Sequence, residues 1–146
     1  MPKFEREIEI DAPVEKVWEV LIKTEYWPKW LPGIGSVTNA ASSSAGVTFE
    51  YTGPTGAGTG VITKFEPLKK LEIMTQVGND KDLHSFELKP TGGFLGMKAD
   101  ECKIEYELDT LAGGGIVGNF ITGGNPADAL RVKKTLHTFR KLVESL

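Results

Sequence analysis

The chain has 146 residues, a length typical of one domain, and we expect residues 1–146 to fold as a single unit. Hydrophobic residues make up 40% of it and charged residues 25%, a balance that excludes intrinsic disorder. The formal net charge of −3 leaves no basic footprint for nucleic acid or an anionic membrane. The first residues are too charged for a secretory signal, and no apolar run reaches the ~20 residues of a membrane span, so we expect a cytoplasmic protein.

The N-terminal segment predicts one strand followed by two short helices. Apolar and polar residues alternate over residues 3–10, apart from Arg6, as they do in a half-buried strand. Pro13 marks a helix start. The apolar stripe of that helix consists of Val14, Val17, Trp18, Leu21 and Ile22. Residues 24–27 predict a second short helix, which Pro28 is expected to interrupt.

Between residues 34 and 109 the hydrophobic period changes from 3.6 to 2, which is typical of strands. Alternating runs separated by turn-forming residues predict an antiparallel meander with one apolar face. In the run at residues 61–66, the alternation assigns Val61, Thr63 and Phe65 to that inner face. The glycine-rich residues 53–60 are interpreted as a flexible hairpin loop at the mouth of a cavity.

The C-terminal segment predicts a long helix that covers the sheet. Asn125 and Pro126 form a start signal, since asparagine is a favoured N-cap and proline a favoured first residue. One apolar seam then follows at spacings of four and three, made of Val132, Leu136, Phe139, Val143 and Leu146. The predicted fold class is α+β: a curved antiparallel sheet of seven strands wrapped on the long helix, with two short helices after the first strand.

Two local motifs resemble a known superfamily. Residues 10–18, Ile-Asp-Ala-Pro-Val-Glu-Lys-Val-Trp, and residues 26–30, Tyr-Trp-Pro-Lys-Trp, are similar to the first strand and the first two helices of the START-like (SRPBCC) superfamily. The Phe65-Glu66-Pro67 turn also resembles that superfamily, and the likeness covers nearly the whole chain. It implies the helix-grip (Bet v 1-like) fold of polyketide cyclase/dehydrase and lipid transport proteins. Because these relatives include carriers, enzymes and accessory domains, it leaves the function open.

The residues predicted to face the interior favour a cavity that binds an apolar small molecule. Large aromatic side chains share this face with a few polar ones, as in pockets for organic ligands. The candidate ligand-binding residues are Trp27, Trp30, Phe49, Tyr51, Thr63, Thr75, His84, Phe86 and Tyr106. Our leading hypothesis is the binding or transport of a hydrophobic or aromatic compound, lipid-like or polyketide-like, with no cofactor.

Two alternatives remain. A cyclase or dehydratase would need a proton-transfer group, for which His84 is the first candidate and Tyr106 the second. A protein-interaction module would use an apolar hairpin tip made of Phe94, Leu95 and Met97.

Other chemistry finds little support in the sequence. Gly113, Gly115 and Gly118 match the dinucleotide fingerprint only formally, because no parallel strand follows them. The glycine-rich stretch at 53–60 lacks the lysine of a phosphate loop. We expect no metal site, since the three soft or imidazole ligands are not closely spaced in the chain. A pairing of Cys102 with His84 as nucleophile and base is less expected than a buried thiol with a structural role.

Overall fold

The protein, represented here by a computed structural model, is described for residues 3–31, 33–38, 46–54, 56–91, 100–112 and 126–146. Its strands are β1 (Lys3–Ile10), β2 (Ser36–Thr38), β3 (Thr48–Gly53), β4 (Gly56–Glu66), β5 (Lys70–Val77), β6 (Asp80–Thr91) and β7 (Glu101–Ala112). Its helices are α1 (Val14–Ile22), α2 (Trp27–Trp30) and α3 (Pro126–Ser145), with a 3₁₀ turn at Thr24–Tyr26.

The seven strands form one antiparallel sheet in the order β1-β7-β6-β5-β4-β3-β2. Six of the strands, β2 to β7, therefore follow one another as a meander, and β1 joins its open edge beside β7, where Ile8 lies opposite Ile104. The long helix α3 buries its seam against the inner face as far as Val143, since Val132, Leu136, Phe139 and Val143 are all 1% exposed or less. The last predicted member of the seam, Leu146, follows the end of the helix and is 52% exposed, so its assignment was wrong. This is the helix-grip architecture that the sequence predicts, with its seven strands and two short helices.

Helix α2 includes Pro28, which we expected to interrupt the second short helix. Pro28 is in the first turn of α2, where the backbone N–H has no partner within the helix and its absence costs little. The two tryptophans that begin and end α2 are buried. Among the described residues, no helix is long and apolar enough to cross a membrane.

Strand β4 departs from the predicted alternation at one residue. The register with β5 shifts between Ile62 and Lys64, so Thr63 is the extra residue of a β-bulge. Ile62 is consequently buried, whereas Thr63 is exposed and bonds to Glu72 on the outer face. The assignment of Val61 and Thr63 to the inner face was wrong, because strict alternation cannot anticipate an inserted residue.

The glycine-rich stretch is mostly strand. Strand β4 already begins at Gly56, so the predicted loop at 53–60 is wrong for most of its length. The inner-face positions Gly58 and Gly60 lie opposite Tyr51 and Phe49 on β3, and the aromatic rings cover the two glycines. A Cβ atom at Gly60 would clash with the Phe49 ring. Glycine is needed here for a close side-chain approach and not for a turn.

Candidate functional site

Eight of the nine predicted ligand-binding residues lie together on the inner side of the sheet. Helix α2 and strands β3, β5, β6 and β7 contribute them, and all are 5% exposed or less. We call this group the interior cluster: Trp27, Trp30, Phe49, Tyr51, Thr75, His84, Phe86 and Tyr106. The ninth residue, Thr63, is not part of it, because the bulge in β4 turns this side chain to the outer face.

A chain of polar groups runs through the middle of the interior cluster. The Tyr106 hydroxyl lies 2.6 Å from His84 Nδ1, and the Thr75 hydroxyl lies 3.2 Å from His84 Nε2. Thr75 also interacts with the hydroxyl of Tyr51. A neutral imidazole has one donor and one acceptor nitrogen, so one of the two hydroxyls donates to the ring of His84 while the other accepts from it. Both ring nitrogens therefore have partners.

Aromatic contacts connect the two ends of this polar chain to helix α2. At one end, Phe49 lies 6.1 Å from Tyr51 and 5.0 Å from Trp27, measured between ring centroids. At the other end, Phe86 stacks on Tyr106 at 4.5 Å and meets the edge of Trp30 at 5.3 Å. Because Trp27 and Trp30 belong to the same short helix, the eight residues form a closed circuit of contacts beneath it.

Burial determines the charge state of the cluster. It lowers the pKa of His84 from 6.5 to about 3, and the nearby Arg131 guanidinium adds to this effect. Burial also raises the pKa of Tyr51, as does the Asp82 carboxylate to a smaller extent, while the hydrogen bond from Thr75 opposes the increase. At neutral pH the cluster consequently contains hydroxyl groups and a neutral imidazole, but no charge.

The two tryptophans of α2 differ in their hydrogen bonding. The indole N–H of Trp27 donates to the Leu21 carbonyl at 2.9 Å. The indole nitrogen of Trp30 is equally buried, but it has no hydrogen-bond partner in the described part of the chain. Trp30 packs between Phe86 and Phe139, at centroid distances of 5.3 and 4.7 Å. A buried donor left without an acceptor is unfavourable by about 1–3 kcal/mol, so such a group needs an explanation.

Two residues near the interior cluster were missed by sequence reasoning. Arg131 on α3 forms an ion pair with Asp82 on β6 at 3.0 Å and so joins the long helix to the sheet beside His84. Phe139 contacts Trp30, although the helical pattern had assigned it only to the seam. The apolar spacing of α3 was a usable signal for Phe139, whereas a pair between residues 49 positions apart leaves no local signal.

The thiol of Cys102 lies far from the interior cluster. Cys102 lies opposite Pro90 and His84 lies opposite Leu108, so six residues of strand, about 20 Å, separate the thiol from the imidazole. Burial raises the pKa of Cys102 to about 11, which keeps the thiol protonated. These positions do not fit a nucleophile–base pair.

Among the described residues, one group of acidic side chains has metal-ligand spacing, and it lies on the outer face of the sheet. Carboxylate oxygens of Glu5, Glu105 and Glu107 lie within 4.8 Å of one another across β1 and β7. The pKa of Glu105 is raised, mainly by burial and then by Glu5, Glu87 and Glu7. Carboxylates on a solvated face do not by themselves specify a metal, and we interpret them as repelling neighbours.

Three sequence predictions fall outside the described residues. They are the N-cap at Asn125, the apolar hairpin tip at Phe94, Leu95 and Met97, and the glycine motif at Gly113, Gly115 and Gly118.

Comparison with solved structures supports the fold. A protein of Bacillus halodurans is 17% identical, with a TM-score of 0.71 over 98% of this chain and 97% of that one. A START superfamily protein from Mycobacterium smegmatis is 17% identical, with a TM-score of 0.65 over 99% and 96%. Norcoclaurine synthase from Thalictrum flavum, solved with dopamine and hydroxybenzaldehyde, is 14% identical, with a TM-score of 0.65 over 98% and 86%.

A search of curated proteins found no significant match. At these identities the structural likeness establishes the fold alone. The sequence itself carries the stronger assignment, because a family profile matches residues 1–144. The chain belongs to the polyketide cyclase / dehydrase and lipid transport family.

Proposed function

We propose that the protein binds an apolar or aromatic small molecule within the helix-grip fold, and that the ligand carries a hydrogen-bond acceptor. The observation that carries this proposal is the buried indole N–H of Trp30, which has no acceptor among the described residues. The other polar groups around it, from Tyr51 to Tyr106, bond to one another and need no ligand. A carbonyl or ether oxygen of a bound molecule would supply the missing acceptor of Trp30.

The chemistry of the interior cluster agrees with this ligand class. Its aromatic rings offer stacking surface, and its polar groups are neutral at physiological pH. A charged ligand would have to lose its hydration without gaining an opposite charge from the cluster, which is strongly unfavourable. The family assignment to polyketide cyclase/dehydrase and lipid transport proteins also supports a neutral, largely apolar compound.

A matched pair of probes tests the proposal. 2-Acetylnaphthalene and 2-ethylnaphthalene have nearly the same shape, but only the first has a carbonyl acceptor. We expect the wild-type protein to bind the ketone more tightly, because one hydrogen bond contributes about 1 kcal/mol. In Trp30→Phe this preference should disappear while the ethyl compound still binds. The measurement is a titration followed by protein NMR chemical shifts.

Thr63→Ala is the control, because Thr63 lies on the outer face and its substitution should leave both affinities unchanged. Failure of both probes to bind the wild-type protein would contradict the proposed function. If Trp30→Phe retained the full preference for the ketone, the role given to Trp30 would be wrong.

The enzymatic alternative has weaker support. The 2.6 Å hydrogen bond between His84 and Tyr106 is the arrangement that acid–base chemistry would use. With a pKa of about 3, however, His84 is a weak base at neutral pH. The cluster is better suited to orienting a ligand than to moving its protons.

A further inference from the structure

A groove separate from the interior cluster lies at the turn between β4 and β5. It has a volume of about 770 Å³, larger than two pockets of about 510 and 480 Å³ along β3 and β4. The start of α1, the turn itself and residues 87–90 of β6 line it. No residue of the interior cluster is among these, so any ligand of the groove would be independent of the proposed function. We call it the turn groove.

Part of the lining of the turn groove is apolar. Val14 and Leu88 form buried parts of the lining, and Pro67 and Pro90 lie beside them. Leu68 stands at the tip of the turn and remains 40% exposed. The groove thus offers a concave apolar surface with one projecting hydrophobic side chain.

Leu68 is an unexpected residue for its position. Its φ of 65° lies in the left-handed region, and it is the one non-glycine with positive φ among the described residues. Glycine or asparagine adopts this conformation more easily, and a polar side chain would be better solvated there. Leucine is therefore unfavourable at this position both for the backbone and for hydration. Backbone strain of this kind occurs often at binding sites.

The lining of the turn groove has more positive than negative side chains, although the whole chain is acidic. The lining includes four lysines, at positions 64, 69, 70 and 89, and two glutamates, at positions 66 and 87. This local excess of positive charge contrasts with the formal net charge of −3. Lys89 lies 3.9 Å from Glu87, whereas Lys64 and Lys69 form no ion pair with another described residue.

We propose that the turn groove binds an acidic segment of a partner protein, which inserts an apolar side chain beside Leu68. The lysines would attract the carboxylates of the segment, and the apolar part of the lining would receive its anchor residue. A polypeptide fits better than a membrane surface, because the site is concave. The glutamates at 66 and 87 would also repel an anionic bilayer, but they could set the register of a segment with charges of both signs.

The test uses synthetic probes of defined chemistry. A fluorescent helical peptide with glutamate on one face and leucine on the other is titrated by anisotropy. Two further peptides replace either all glutamates by lysine or all leucines by serine. We expect only the acidic, leucine-containing peptide to bind well, with the others weaker by about tenfold or more, and its affinity to fall as salt increases.

Substitutions locate the binding to the groove. Leu68→Asn should fold normally, because asparagine tolerates a positive φ, but should weaken peptide binding by about tenfold. Lys69→Glu should weaken it by a similar factor, mainly through slower association. The matched control is Lys134→Glu on the exposed face of α3, which should have little effect.

Three results would overturn the proposal. One is equal affinity for the charge-reversed peptide, and another is no change of affinity in Leu68→Asn. The third is absence of binding by the acidic, leucine-containing peptide. Binding to vesicles of equimolar phosphatidylcholine and phosphatidylglycerol that depends on Leu68 would then identify a lipid surface as the occupant. Shifts of amide signals at residues 64–70 and 87–90 on peptide addition would support the proposal directly.

Discussion

At the scale of single residues, the hydroxyl of Tyr106 is the closest polar partner of the buried His84. We expect Tyr106→Phe to lower the free energy of unfolding by about 1–3 kcal/mol, because it leaves an imidazole nitrogen buried without a partner. Urea denaturation followed by circular dichroism measures this. On the outer face, Thr63→Ala should change stability by no more than about 0.5 kcal/mol. Unchanged stability in Tyr106→Phe would show that the bond contributes nothing.

The lowered pKa of His84 predicts a pH dependence of stability. The unfolded chain binds a proton at this residue below about pH 6.5, whereas the folded protein binds it only near pH 3. Stability from this group is therefore complete above pH 6.5 and is lost as the pH falls toward 3, by about 1.4 kcal/mol per pH unit. The free energies of unfolding of wild type and His84→Gln should differ by a constant amount above pH 6.5, and the difference should shrink below it. A pH-independent difference would contradict the burial of a neutral imidazole.

At the scale of elements, the glycines of strand β4 determine how closely the aromatic side chains of β3 can pack against that strand. Gly60→Ala would place a methyl group in the space of the Phe49 ring, and we expect the displaced ring to lower the free energy of unfolding by about 1–3 kcal/mol. The neighbouring substitution Thr59→Ala is the control, since Thr59 faces outward on the same strand. Thermal unfolding compares the two variants. Equal stabilities would mean that the ring of Phe49 moves without penalty.

Strands and helices could be predicted from the sequence wherever apolar residues recur at a regular period. The alternation along β6 assigned His84 and Phe86 to the inner face, and the structure confirms both. The alternation predicted the wrong inner-face residues on β4, because the bulge at Thr63 depends on how β4 and β5 pair. The prediction of a loop was wrong for the strand that begins at Gly56, since the aromatic side chains that cover its glycines come from another strand.

Most residues of the candidate site could be predicted from the sequence, but the hydrogen bonds among them could not. The sequence motif of the short aromatic helix indicated both Trp27 and Trp30, and nothing in the neighbouring residues distinguishes the two. Their difference arises because the Leu21 carbonyl is within reach of only one indole. The Arg131–Asp82 ion pair likewise depends on how α3 docks on the sheet.

At the scale of the whole molecule, the fold separates two kinds of surface. The interior cluster lies between the sheet and helix α2, is largely aromatic and uncharged, and is closed by contacts among its own residues. The turn groove lies outside it and is lined with lysines. A helix-grip protein with both could hold a small molecule inside and a partner segment outside without competition between the two.

The central claim is that the interior of this fold holds an apolar molecule. Native mass spectrometry of the purified protein, before and after incubation with a panel of aromatic ketones, tests it most directly. We predict a mass above that of the bare chain, lost on denaturation, with the bound compound recovered by extraction into organic solvent. Observation of only the bare mass under all of these conditions would contradict the claim and would make the interior cluster a plain hydrophobic core.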